Sequence, residues 1–121
     1  MAEIPKTKIY DLEERTYQFA KIVALFCKKL PKTISNIEYI KQLIRSSGSI
    51  GANYIEANEA LSKKDFVMRV KISRKEAKES SHWLRLVIET NESNFKKEGE
   101  HLLAEAIELK KIFSTIIEKS K

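Results

Sequence analysis

Residues 45–57 read Arg45-Ser-Ser-Gly-Ser-Ile-Gly-Ala-Asn-Tyr-Ile-Glu-Ala57, "RSSGSIGANYIEA". Small residues crowd this stretch, yet the apolar residues around it recur at helical spacing, so it is a phosphate-cradling loop, a hinge, or a helix built thin. A phosphate loop joins a strand to a helix and ends in Gly-Lys-Ser/Thr; no strand pattern precedes Arg45 and no Lys follows either glycine as required. A hinge would reset the helical phase, whereas Ile44, Ser47, Gly51 and Tyr54 keep it, although Gly48 and Gly51 each cost a helix about 1 kcal/mol relative to Ala. The residues therefore favour a thin helix. Ser47, Gly48, Gly51 and Ala52 are expected to let a neighbouring backbone come closer than the usual separation of about 8–10 Å, with dispersion contacts offsetting the lost propensity. On another side Arg45, Ser49, Asn53 and Glu56 form a polar ladder, either a recognition strip or a solvated face with incidental ion pairs.

Working outward, three more segments carry the same period. Leu12, Phe19, Val23, Phe26 and Leu30 predict a first helix over 11–30, opened by a capping-box pattern of Asp11 with Glu14 and closed before Pro31. The thin helix spans 36–61, with Ile37, Ile40, Ile44, Gly51, Tyr54 and Leu61 on one broad face. Ser62 with Asp65 opens a third over 63–90, whose core stripe is Phe66, Val70, Ser73, Ala77, Ser80, Leu84 and Ile88. Asn91 to Asn94 interrupt the pattern, and Leu102, Ala106, Leu109, Phe113 and Ile116 place a fourth over 95–118. No segment alternates with period two. Four amphipathic helices with short connections predict an all-α, single-domain (1–121) antiparallel up-down-up-down bundle.

Composition agrees with helices: the 121 residues are 42% hydrophobic and 33% charged, with three Gly and two Pro. One cysteine, Cys27, excludes an internal disulfide framework and fits a reducing compartment. Met1 to Tyr10 lacks the apolar core of a secretory leader, and no apolar run reaches the ~18 residues of a membrane span. The expectation is a soluble cytoplasmic protein with no membrane role.

The opening stretch, followed by "SKKDFVMRVKISRKEAKESSHWLRLVIE" (Ser62 to Glu89), resembles the bacterial four-helix-bundle family of 23S rRNA intervening-sequence proteins. The resemblance covers most of the chain and rests on Ser49 to Asn53, on Asp65-Phe66, and on Lys75 to Ala77 leading to Trp83 to Leu86. The chain departs from it at Tyr54, where many members carry a smaller aliphatic, and at Ser73, where Ala is usual. The resemblance implies small bundles assembling as homopentamers, often encoded within insertions in ribosomal RNA genes. It also implies kinship with accessory proteins of diversity-generating retroelements, which bind nucleic acid and a reverse transcriptase. It brings no catalytic activity and no cofactor.

Helix three carries the charge. Between Lys63 and Arg85 stand eight basic and three acidic residues, nearly the whole +6 excess of the protein. Lys64, Lys71, Arg74, Lys75, Lys78 and Arg85 lie off the core stripe and are the candidate nucleic-acid contacts, since a row of cations gains affinity by releasing condensed counterions. Simple solvation of an outward face is the competing reading. No aromatics interleave to stack bases, so no strong sequence specificity is expected. A third stripe, Met68, Ile72, Trp83 and Leu86, reads as an oligomer interface anchored by Trp83, or as edge packing within the bundle.

Two Glu-x-x-His spacings, Glu79 with His82 and Glu98 with His101, match the pattern of carboxylate-bridged metal bundles. The first faces outward among lysines and the second lies beside a loop, so no metal is expected. Cys27 sits in an apolar phase where thiols are inert packing, and neither His has a sequence-level triad partner. The sequence therefore predicts a non-enzymatic self-associating protein that binds nucleic acid, RNA before DNA. The alternative is a scaffold or accessory subunit capturing an acidic protein partner such as a polymerase.

Overall fold

The computed structural model describes residues 11–121; the expectation about Met1 to Tyr10 falls outside them. Four helices follow in order: α1 (Leu12–Lys29), α2 (Ile34–Asn58), α3 (Lys63–Thr90) and α4 (Lys96–Lys119), with a single 3-10 turn at Ser93–Phe95 before α4. No strand occurs among the described residues. Helix α3 packs along both α2 and α4, and α1 closes the fourth side against α2 and, more lightly, α4. The architecture is the expected up-down-up-down bundle.

Local chemistry explains the ends. The Ser62 hydroxyl accepts the Asp65 N–H at 3.1 Å, as its position before a helical run predicts. Helix α2 starts earlier than its periodicity indicates, because extended Thr33 accepts the Asn36 N–H at 3.1 Å and recruits Ile34 and Ser35. The capping box expected at Asp11 does not form: its side chain makes no cap hydrogen bond and its backbone is not extended. At the far end α2 stops at Asn58, so Leu61 lies outside the helix and is fully exposed.

The core is filled by Phe19, Phe26 and Phe113 with Leu12, Leu43, Ile50, Leu84, Leu102 and Leu109, all essentially inaccessible. On α3 the expected stripe is buried from Val70 to Leu84, with Phe66 and Ile88 half-buried at its ends. On α2 the face is rotated from expectation: Leu43, Ser46, Ser47, Ile50, Tyr54 and Ala57 are buried, whereas Ile37 and Ile44 stand 45% and 40% exposed. Serines bury here because their hydroxyls find partners. Ser46 and Ser80 share a hydrogen bond of 2.9 Å between α2 and α3, and Ser73 donates to the Ile50 carbonyl at 2.8 Å. Serine at position 73 thus ties two helices where alanine would only fill space. Tyr54, the other departure, packs its ring 5.9 Å from that of Phe113.

On the other flank of α2, Gly51 faces α1. A Cβ there would lie 2.8 Å from Thr16 Oγ1 and 3.3 Å from Thr16 Cβ. The Thr16 hydroxyl is held by the Leu12 and Glu13 carbonyls, at 2.8 and 3.0 Å, and cannot swing aside cheaply. Ser47 is buried with Gly51, but Gly48 and Ala52 are exposed, and a Cβ on Gly48 would meet nothing within 4 Å. Of the four residues expected at a close helix contact, two therefore serve it inside the bundle. The reason is angular, since Gly48 and Ala52 fall on the side of α2 that turns to solvent.

Polar ties complete the frame. Arg15 grips Glu105 through two bonds of 2.7 and 2.9 Å between α1 and α4, and that hydrogen bond, opposed by burial, raises the guanidinium pKa. Buried Asn36 at the start of α2 and Asn91 at the end of α3 exchange amide hydrogen bonds of 2.8 and 2.9 Å. Gly51→Ala is expected to lower stability by about 1–3 kcal/mol in thermal or denaturant unfolding, as overpacking does. Adding Thr16→Ala should recover part of the loss; a strictly additive double variant would place the strain elsewhere.

Candidate nucleic-acid interface

The structure sorts the basic residues of α3 by what surrounds them. Lys64, Lys71, Lys75, Lys78 and Arg85 are exposed and Arg74 is half-buried. Four of the six converge. Lys71, Arg74, Lys75 and Lys78 line an open groove between α3 and α4, and Lys110 and Ser114 of α4 form its other bank. Arg74 is steered across the groove by a long hydrogen bond, 3.5 Å, to the Ser114 hydroxyl. No carboxylate lines the groove, and none of Lys71, Lys75, Lys78 or Lys110 has an ion-pair partner among the described residues. Concentrated unpaired cations at close quarters create a positive potential that only an external anion relieves.

The row's outer members stand apart. Arg85, one turn short of the helix end, lies 3.9 Å from Glu89. Lys64 belongs to a second depression with Lys63, Val67, Met68, Lys71 and Ser120. The α4 contribution was invisible to a reading of α3 alone. Lys110 and Ser114 are four residues apart and share a helix face, but their apposition to Lys71 and Lys78 depends on the axial stagger of two helices, which periodicity does not encode.

The polar ladder on α2 turns toward α3. Arg45 bonds Glu79 at 2.8 Å and lies 3.6 Å from an oxygen of buried Glu76, close enough for attraction but too long for a hydrogen bond. Asn53 donates to the Ser49 carbonyl at 2.9 Å and accepts from Arg69 at 3.1 Å. Glu56 is exposed beside Glu59, Asp65 and Arg69. Arg45 and Asn53 of the ladder thus join α2 to α3.

The third stripe of α3 has a similar fate. Trp83 is half-buried and packs against the core, its ring 6.1 Å from Tyr39 of α2 and 4.8 Å edge-on from His82; its indole N–H is buried without an acceptor among the described residues. Ile72 and Leu86 are half-buried, and Met68 is 46% exposed. The large exposed apolar side chains lie elsewhere as well: Ile37, Ile44 and Ile55 on α2, where exposed Gly48 and Ala52 continue the same face, and Tyr17 and Leu25 on α1.

The Glu-x-x-His carboxylates are engaged: Glu79 by Arg45, Glu98 by Lys29 at 2.9 and 3.1 Å. Among the described residues no group of three or more His, Cys, Asp and Glu stands close enough to hold a metal, and no helix is long and apolar enough to cross a membrane.

These features can be set beside known proteins. The sequence profile described as 23S rRNA-intervening sequence protein matches residues 8–115. The chain belongs to that family. A solved relative is a protein of unknown function from the S23 ribosomal protein family of Bacteroides thetaiotaomicron VPI-5482. It is 32% identical, superposes with a TM-score of 0.80, and the match covers 90% of this chain and 96% of that one. No curated protein matches. The intervening-sequence family thus accounts for the bundle, and the α3–α4 groove is a property read from this chain's own residues.

Burial pushes the thiol of Cys27, 5% exposed, up to about 11. A thiol raised in the fold favours folding below its unfolded pKa near 9 and loses that contribution as pH rises through about 11. Cys27 is expected to resist an aromatic disulfide reagent at pH 8 in the native state and to react within minutes in denaturant. Fast native labelling would show that α1 opens locally.

Proposed function

We propose that this protein is a non-enzymatic, self-associating helical bundle that holds nucleic acid along the groove between α3 and α4. The supporting observation is the convergence of Lys71, Arg74, Lys75, Lys78 and Lys110 around a groove that no carboxylate lines among the described residues. Phosphates entering it would exchange condensed counterions for fixed cations, giving affinity that falls steeply with salt. Among the described residues the groove has no aromatic lining and no element shaped to enter a duplex groove, so binding is weakly dependent on base sequence. RNA is the first probe because the family's description names ribosomal RNA.

Self-association draws on a different surface. Ile37, Ile44, Gly48, Ala52 and Ile55 follow one another at helical spacing on α2, all exposed. Glycine at 48, unexplained by contacts inside the bundle, suits the close approach of another helix. A ring of copies, five by analogy with the family, would repeat the cationic groove and add weak contacts together. A cytoplasmic location accords with a lone cysteine that is buried and unpaired.

Solution mass by light scattering, with and without a short structured RNA at low and high salt, tests both halves. The expected result is a multiple of the chain mass that gains RNA and releases it as salt rises. Lys71→Glu, Lys75→Glu and Lys78→Glu together should lower the slope of log affinity against log salt by roughly 3 and reduce RNA binding by more than about 100-fold. If the triple variant still captures RNA normally, the groove is not the site. If it loses RNA but keeps an acidic protein partner, the accessory-subunit reading gains. Ile44→Glu should reduce the mass toward one chain while leaving helical content intact; an unchanged mass would move the interface off α2.

A further inference from the structure

The cationic groove does not end at Lys71. That lysine also borders the second depression, where the first turns of α3 meet the end of α4 at Ser120. The two depressions differ in character. The first is rimmed by five cations and a hydroxyl. The second is lined mainly by apolar surface, from Val67 and Met68 with the side chains of Lys63, Lys64 and Lys71, whose stems are apolar. Among the described residues no carboxylate lines either one. Met68 is 46% exposed, with these lysines on one side and the depression of Glu56, Glu59, Asp65 and Arg69 on the other.

We infer that the Val67–Met68 floor seats an unpaired nucleobase of a strand whose phosphates lie in the adjoining groove, making the site selective for single-stranded over duplex nucleic acid. The inference rests on the nucleic-acid reading above. Three physical features carry it. The polarizable sulfur of Met makes favourable contacts with aromatic rings, and lysine stems present further apolar surface to a ring face. The floor lies one helical turn from Lys71, about 6 Å along the axis, and Lys78 two turns beyond, about 10 Å further. A strand can therefore meet floor and cations together. Finally, a duplex keeps its base faces stacked internally, so only a splayed base can reach a concave apolar floor. An anionic polymer without bases would fill the groove and leave the floor empty.

Fluorescence anisotropy at fixed salt decides the matter with four probes of equal charge: a single-stranded oligonucleotide, the same strand with abasic sites, a blunt-ended duplex without a loop, and poly-glutamate as competitor. The single strand, as RNA or DNA, should bind roughly tenfold tighter than the duplex or the abasic strand, the scale expected of base–side-chain contact. Met68→Ser, at an exposed position that leaves the fold intact, should remove most of that advantage. It should leave duplex affinity and the salt slope unchanged. Equal binding of single, abasic and duplex probes, or a silent Met68→Ser, overturns the base seat while salt-dependent binding preserves the phosphate groove. Poly-glutamate displacing the strand as well as unlabelled strand does would assign the surface to an acidic protein. No binding of any nucleic-acid probe overturns both readings.

Discussion

At Gly51 a Cβ would stand 2.8 Å from the Thr16 hydroxyl, and on the opposite flank of α2 the Ser46 and Ser80 hydroxyls meet across 2.9 Å. Helix α2 is thus the slender member between two neighbours, and its slenderness sets the separations on both sides. Ordinary apolar side chains here would push α1 and α3 outward and open the centre now filled by Phe19, Phe26 and Phe113. A buried hydroxyl is costly when left unpaired. Each serine at this seam avoids that cost by bonding a neighbouring hydroxyl or a backbone carbonyl.

The charges fall into two populations as a result. Where helices meet, cations are matched: Arg15 with Glu105, Lys29 with Glu98, Arg45 with Glu79. The more exposed of these contribute little to stability, but they spend carboxylates on fixed tasks. Lys71, Lys75, Lys78 and Lys110 receive none among the described residues. Within the net excess of +6, five cations converge on the groove between α3 and α4.

Much of this was legible in the residues. Four periods of 3.6 fixed the helices to within a few positions, and Ser62 marked the start of α3 where the structure has it. The stripe of α3 was right because its small members, Ser73, Ala77 and Ser80, sit between unambiguous Val70 and Leu84. On α2 the same method misplaced the face. It favoured Ile37 and Ile44, which are exposed, and passed over Ser46, which is buried, because hydropathy counts a serine as polar whether or not its hydroxyl has a partner. Of the site, the cations of α3 could be named from their spacing. Lys110 and Ser114 could not, since the stagger between α3 and α4 depends on packing such as Gly99 against Ile88, remote in sequence from the groove.

The amide exchange between Asn36 and Asn91 has a mechanical side. Together with Ser46–Ser80, Ser73–Ile50, Arg45–Glu79 and Arg69–Asn53, it pins α2 to α3 at intervals along nearly their whole length. Two helices joined only by greasy ridges can slide; two joined by directional bonds at several heights cannot. The lysines of α3 are consequently mounted on a stiff ruler, their backbone anchors fixed at the helical pitch. A flexible polyanion can bend to such a ruler, whereas a rigid one must already match its graduations.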